Sequence, residues 1–232
     1  SYREETGEFL CDSPKLLEEA ELWAAPVMAV LYTEGAALPW SPEGHFPRVA
    51  RVSEAVMRSV SPMEAPQGAL FLARIPSLEA PEKLSEGRYL ALEGVQDPGN
   101  VGTILRTADA FGADGVFLLP GCADVYNHKT VRSSMGAVFR LPVWSCGLKE
   151  LAALAETAGV PLLGAALRED TVEVGETDLH RGVVLLGSEG KGLSEAALAA
   201  CTRTVRIPMA ERCESLNVAA AAAVLLWEGY RC

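Results

Sequence analysis

No stretch of this 232-residue chain stays apolar for more than ten residues, and the longest, Val218 to Trp227, is mostly alanine. A membrane-spanning helix needs roughly 20 apolar residues, so none is expected. The opening Ser1-Tyr2-Arg3-Glu4-Glu5 lacks the apolar stretch of a secretory signal. It also lacks a starting methionine, so a few leading residues or a tag are expected to be missing. CxxC pairs are absent: six cysteines stand alone at positions 11, 122, 146, 201, 213 and 232. The three histidines (His45, His128 and His180) are not spaced as metal ligands. No metal site is expected, and scattered thiols fit buried small side chains in a reducing, cytoplasmic compartment. Neither G-x-x-x-x-G-K-[ST] nor G-x-G-x-x-G occurs, which argues against an NTPase loop and an ordinary dinucleotide fold.

Positive charge is also scarce. The net charge is −11, shared as −6 over residues 1–85 and −5 over 86–232. Taken alone this opposes a nucleic-acid partner. Any such contact must come from a local basic patch and be sensitive to salt.

What the chain has is core-forming material, 49% hydrophobic residues, enough for one or two domains. The Pro-, Glu- and Ser-rich run Ala80 to Gly87 reads as a linker, separating a small α/β domain over 1–80 from a larger one over 88–232. In the first, Ser13-Pro14 has the form of an N-cap followed by proline, opening a helix to about Trp23. Val27 to Tyr32 and Ala69 to Ile75 read as strands, and Ser53 to Val60 as a helix. In the second, strands are expected at Tyr89–Leu92, Val116–Leu119, Leu141–Trp144, Pro161–Ala166, Val183–Leu186 and Val205–Ile207. Helices are expected at Asn100–Phe111, Leu148–Ala158, Ala196–Cys201 and Leu216–Tyr230. This alternation implies an α/β fold with a mainly parallel sheet, whose ligands bind beyond the carboxyl ends of the strands.

Three loops follow strands and approach helices. The first runs from Glu93 to Gly102 and on through Arg106 to Ala108; the second is Leu186-Gly187-Ser188-Glu189-Gly190-Lys191-Gly192; the third is Ile207-Pro208-Met209 with Glu214-Ser215-Leu216-Asn217-Val218-Ala219. Glycine lets backbone approach a ligand closely or adopt positive φ.

These loops resemble, in order and spacing, the three signatures of the SpoU/TrmH-type RNA 2′-O-ribose methyltransferases, across most of residues 88–232. The resemblance implies a C-terminal trefoil knot, an exception to the usual absence of knots. It also implies bound S-adenosylmethionine, an RNA substrate and a homodimer. By position, Gly187, Ile207, Met209 and Leu216 are expected to line the cofactor pocket. The segment Tyr2 to Leu10 is similar to the opening of the small RNA-binding domain of many members, with Asp12-Ser13 standing where Glu-Gly is expected. The added domain points to ribosomal rather than transfer RNA, by analogy.

Methyl transfer needs reactants at near-attack distance and a more acidic hydroxyl. The resemblance makes Arg106 the activator. A guanidinium is a poor base, so it would lower the hydroxyl pKa and hold phosphate; the plainer reading is an i,i+3 pair with Asp109. Asn100 is a helix N-cap, an active-site amide, or both. Glu189 is a solvated charge or the carboxylate that orients Arg106 or Asn100. Ser215 and Asn217 either cap and flank the last helix or shape the pocket. His128, Lys129, Arg132 and Arg140 form the local basic segment, facing RNA or simply solvated. Ala219 to Ala223 favour helix and permit close packing in a knot or dimer interface. A catalytically silent RNA-binding or ribosome-assembly factor on the same scaffold is the rival; it would be expected to lose some of these residues.

Overall fold

The computed structural model describes residues 2–77, 79–168, 171–213 and 215–231; Glu214 of the third loop lies outside them. The amino-terminal part comprises α1 (Tyr2–Thr6), β1 (Glu8–Asp12), α2 (Pro14–Leu22), β2 (Val27–Tyr32), β3 (Val49–Arg51), α3 (Glu54–Val60) and β4 (Ala69–Arg74). Its sheet runs β1-β4-β2-β3, with β4 antiparallel to both neighbours and β2 parallel to β3. The two helices anticipated here start where serine caps them: Ser13 Oγ accepts from Leu16 N at 3.2 Å and Ser53 Oγ from Val56 N at 3.3 Å. Strands β1 and β3 were not anticipated. The three residues of β3 are partly or fully exposed and carry no apolar alternation.

The carboxy-terminal part comprises β5 (Arg88–Leu92), α4 (Pro98–Ala110), β6 (Gly115–Leu118), α5 (His128–Ser134), β7 (Val143–Ser145), α6 (Leu148–Ala158), β8 (Leu162–Ala165), β9 (Val172–Glu173), β10 (Gly182–Leu186), α7 (Glu195–Ala200), β11 (Arg203–Arg206) and α8 (Val218–Tyr230). The seven strands lie in the order β7-β6-β5-β10-β8-β11-β9, and every neighbouring pair is parallel. All five residues of β10 are buried, as expected of a parallel strand covered on both faces. No helix among the described residues is long and apolar enough to cross a membrane.

Helix α5 was not anticipated. Asn127 caps it by accepting from Lys129 N, and it ends at Met135 in the left-handed conformation. A Cβ at Gly102 would collide with the Thr130 carbonyl and the Ser133 side chain, so the glycine sets how closely α4 and α5 approach.

The two sheets share one core. The Phe9 ring of β1 lies 4.5 Å from Tyr126 and 6.2 Å from Phe139, and Phe71 of β4 lies 6.3 Å from Phe139. Phe9 and Phe71 are each almost wholly buried, which by area contributes roughly 1.5–3 kcal/mol per side chain. Ion pairs flank the contact: Arg3 to Asp124 at 2.5 Å, Arg132 to Asp12 at 3.5 Å and Arg140 to Glu19 at 2.8 Å. In the Pro-rich segment that joins the two parts, Leu84 is buried against the carboxy-terminal sheet, so the segment is packed down at that point.

Candidate active site

Strands β5 and β10 are neighbours at the centre of the sheet. From β5 the chain moves outward to β6 and β7, whereas the other neighbour of β10 is β8. Their carboxyl ends therefore flank the point where strand order reverses, where a crevice opens in parallel sheets. The first and second loops leave from here, joined by Glu93 N donating to the Leu186 carbonyl at 2.8 Å. The Glu93 carboxylate then accepts from Ser194 N at 2.8 Å and Ser194 Oγ at 2.7 Å, closing the second loop back onto the sheet.

Within that loop, Ser188 and Gly192 exchange backbone hydrogen bonds of 3.2 and 2.9 Å. The turn is so tight that a Cβ at Gly187 would run into the backbone of Gly192 and Leu193. The loop's own closure thus demands glycine at this position.

In the first loop, Asp97 rather than Asn100 caps α4, its Oδ1 accepting from Asn100 N at 2.8 Å. Helix α4 begins two residues earlier than expected, and the Asn100 side chain is released for other work. Its Nδ2 donates to Glu189 Oε1 at 2.5 Å, and its Oδ1 accepts from Asn217 Nδ2 at 3.1 Å. Asn217 in turn caps α8, with Oδ1 accepting from Ala219 N at 2.9 Å and Ala220 N at 3.4 Å. Each amide orientation follows from the next. The cap requires the Asn217 oxygen to face α8, so its NH2 faces Asn100, whose own NH2 meets a carboxylate that can only accept. One hydrogen-bonded chain thereby links all three loops.

Beside it lies an apolar crevice of about 130 Å³ where β8 and β11 end, lined among others by Ala165, Leu167, Ile207, Met209, Ser215 and Leu216. Three of the four expected cofactor-pocket residues meet here with Ser215, while Gly187 stands in the neighbouring loop. Leu216 is 42% exposed and precedes α8. The carboxyl end of β8 and the Glu93 clamp went unassigned in the sequence. The signal for each was its place just past a buried strand.

Arg106 is exposed on α4 and makes no hydrogen bond or ion pair among the described residues. Glu189 is held to Asn100, so of its two expected partners the structure pairs it with the amide. Asp109 is engaged by Arg140, and the i,i+3 pair with Arg106 does not form. Of the basic segment, Lys129 faces solvent, Arg132 reaches the buried Asp12 carboxylate, and Arg140 turns inward with 19% of its side chain exposed.

No three His, Cys, Asp or Glu side chains among the described residues converge to hold a metal. Burial pushes the Cys146 and Cys201 thiols up to about 11, which disfavours thiolate chemistry there.

A sequence model of the SpoU rRNA Methylase family matches residues 87–227. The chain belongs to the SpoU rRNA methylase family. It is 34% identical over 226 residues to the 23S rRNA (guanosine(2553)-2′-O)-methyltransferase RlmP of Bacillus subtilis (strain 168), covering 97% of this chain and 89% of the relative. It is 32% identical over 242 residues to the 23S rRNA (uridine(2479)-2′-O)-methyltransferase of Streptomyces viridochromogenes, covering 99% and 84%. Among solved structures, the SpoU methyltransferase AviRb from Streptomyces viridochromogenes in complex with the cofactor AdoMet is similar with a TM-score of 0.85 and 29% identity over 99% of this chain and 91% of that one. The AdoMet-bound rRNA methyltransferase from Sinorhizobium meliloti gives 0.85 and 28% over 99% and 89%. The α/β class and the parallel SpoU sheet read from the sequence agree with these findings.

Proposed function

We propose that this SpoU protein transfers the methyl group of S-adenosylmethionine to a ribose 2′-hydroxyl of RNA, with ribosomal RNA the substrate. The observation that carries the reading is the Glu189–Asn100–Asn217 chain, which ties the three loops together beside the apolar crevice. A silent RNA-binding factor would not need those side chains intact, nor an arginine left unpartnered on the same helix as Asn100.

The crevice suits an apolar part of the cofactor, the rest lying along the neighbouring loops. Ile207, Met209 and Leu216 offer apolar contact at the carboxyl edge of the sheet, and Gly187 keeps the adjoining loop closed. When bound, S-adenosylmethionine supplies an electrophilic methyl group on a sulfonium. The protein's share is then placement and acidity. Arg106 presents five N–H donors and a permanent charge to the incoming nucleotide, lowering the hydroxyl pKa and gripping phosphate. Asn100 and Glu189 hold the first loop against the second, so that Arg106 and the crevice keep a fixed offset. Ser215 and Asn217 shape the entrance.

Several finer features belong to the same proposal. Residues 1–80 serve as an RNA-binding domain, and the segment carrying Ile207 to Asn217 is threaded as a trefoil knot. Lys129 and Arg132 contact the RNA backbone. The chain pairs as a homodimer through the exposed face of α8, where Val224, Trp227 and Tyr230 are 37%, 49% and 53% exposed. Ala219 and Ala222 are buried in the chain's own core, so the larger side chains carry the interface.

The test is methylation of deproteinised ribosomal RNA with labelled cofactor, the product nucleoside being read by mass spectrometry. The expected product is a 2′-O-methylnucleoside. Arg106→Ala should slow its formation by roughly 10²-fold or more, and Lys129→Ala should flatten the salt dependence of RNA binding by about one unit. A base-methylated product, or none with the wild-type protein, refutes the assignment. Light scattering should return about twice the 24.7 kDa chain mass.

A further inference from the structure

Arg106 and Asp109 stand three residues apart on α4, a spacing that brings side chains together on a helix surface. Left to themselves they would pair. The Arg106 donors would be spent on a carboxylate and its positive field largely cancelled at short range. The structure prevents this. Arg140 Nε and Nη2 each lie 2.8 Å from Asp109 Oδ2, and Nη1 lies 2.8 Å from Glu19 Oε2 on α2. The Trp23 ring sits 5.5 Å from the same guanidinium, and only 19% of the Arg140 side chain is exposed. Arg140 is held from both sides, and Arg106 is left with an exposed, unpartnered guanidinium among the described residues.

We propose that Arg140 is a positioning residue for methyl transfer: by occupying Asp109 it denies Arg106 the carboxylate three residues along the helix and keeps that guanidinium available to the nucleotide. The inference rests on Arg106 being the activating group. Of the Arg140 contacts, to Asp109, Glu19 and Trp23, the one with Asp109 leads along α4 to Arg106. The contact with Glu19 serves a separate purpose, anchoring Arg140 to the amino-terminal part.

Single-turnover methylation of ribosomal RNA, with RNA and S-adenosylmethionine both saturating, tests this. Arg140→Gln should slow the bound-state reaction by roughly tenfold, the scale of coupling between contacting side chains, with cofactor affinity unchanged. Adding Asp109→Asn should return the rate to within about twofold of wild type. Glu19→Gln, which breaks the other contact but leaves Asp109 occupied, should keep the wild-type rate. In an Arg106→Ala background Arg140→Gln should cost nothing further, whereas a merely structural role would lower the rate again. Should Arg140→Gln fail to fold, Arg140→Lys keeps a cation in the contact and should show a smaller loss, equally erased by Asp109→Asn. A loss that persists undiminished without Arg106, or that Asp109→Asn does not restore, overturns the proposal. A wild-type rate for Arg106→Ala alone would instead bring down the reading beneath it, and this inference with it.

Discussion

Asn217 donates from Nδ2 to Oδ1 of Asn100 across 3.1 Å, joining the cap of α8 to the first turn of α4. One amide thus serves helix and site at once, and substitution can separate the two duties. Asn217→Ala should lose both, costing about 1 kcal/mol of stability as a lost cap along with turnover. Asn217→Asp caps as well as asparagine but has no donor for Asn100. If Asn100 turned its NH2 toward the new carboxylate, its oxygen would face Glu189. Thermal melts of Asn217→Asp should therefore match wild type while turnover falls by roughly tenfold, the scale of one positioned hydrogen bond. Equal turnover in the two proteins would show that Asn217 is a cap and nothing more.

Gly187→Ala tests the second loop. Its Cβ meets backbone, not a flexible side-chain end, so the Gly192–Leu193 strand of the turn must move. Overpacking of this kind costs roughly 1–3 kcal/mol, and the displaced loop should bind S-adenosylmethionine at least about tenfold more weakly by calorimetry. Undiminished affinity would mean that this loop does not shape the pocket.

Ser13 adopts φ 101° and ψ 144° while capping α2, a region populated essentially by glycine. It also stands where the family pattern led us to expect glycine. Strain there costs on the order of 1–3 kcal/mol, whereas exchanging a serine cap for glycine costs only a few tenths. Ser13→Gly should therefore stabilise the protein by about 1 kcal/mol and raise the melting midpoint by roughly 2–4 °C. A lower midpoint would show that the hydroxyl contact to Leu16 outweighs the strain.

Asp12 carries a buried carboxyl whose pKa is raised, chiefly by desolvation, against the opposing pull of Arg132 and His128. A raised folded value means that the native state binds this proton more tightly than the unfolded chain. The contribution of Asp12 to stability is therefore fully present below the ordinary carboxylate value and is lost as pH rises through the raised folded one. Denaturant titrations from about pH 6 to about pH 4 should show wild type gaining on Asp12→Asn. A constant difference between the two proteins would contradict the burial assignment.

Much of this was legible from local pattern. Ser13-Pro14, Ser53 and the buried runs of β2, β5 and β10 announce themselves within a few residues, because caps and apolar strands are local devices. The third loop's Ile207, Met209 and Leu216 line one crevice. The α4 cap was legible too and was passed over: Asp97-Pro98 has the same cap-then-proline form as Ser13-Pro14, and Asn100 lies inside the first turn. Strand β1 packs against the segment that leads into α5, with Phe9 and Tyr126 at 4.5 Å, and such contacts leave no periodic trace. Arg140 looked like a candidate for RNA because its two carboxylates lie 31 and 121 residues away.

The continuous core has a consequence for how this chain can be divided. An RNA-binding attachment joined by a loose tether could be traded between enzymes as an independent part. Here a cut near Leu84 would bare Phe9 and Phe71 on one fragment and Tyr126 and Phe139 on the other, four aromatic rings that are buried or partly buried against each other in the whole protein. The amino-terminal sheet is better regarded as a wall of the catalytic body than as a portable module, and the two are expected to move as one piece.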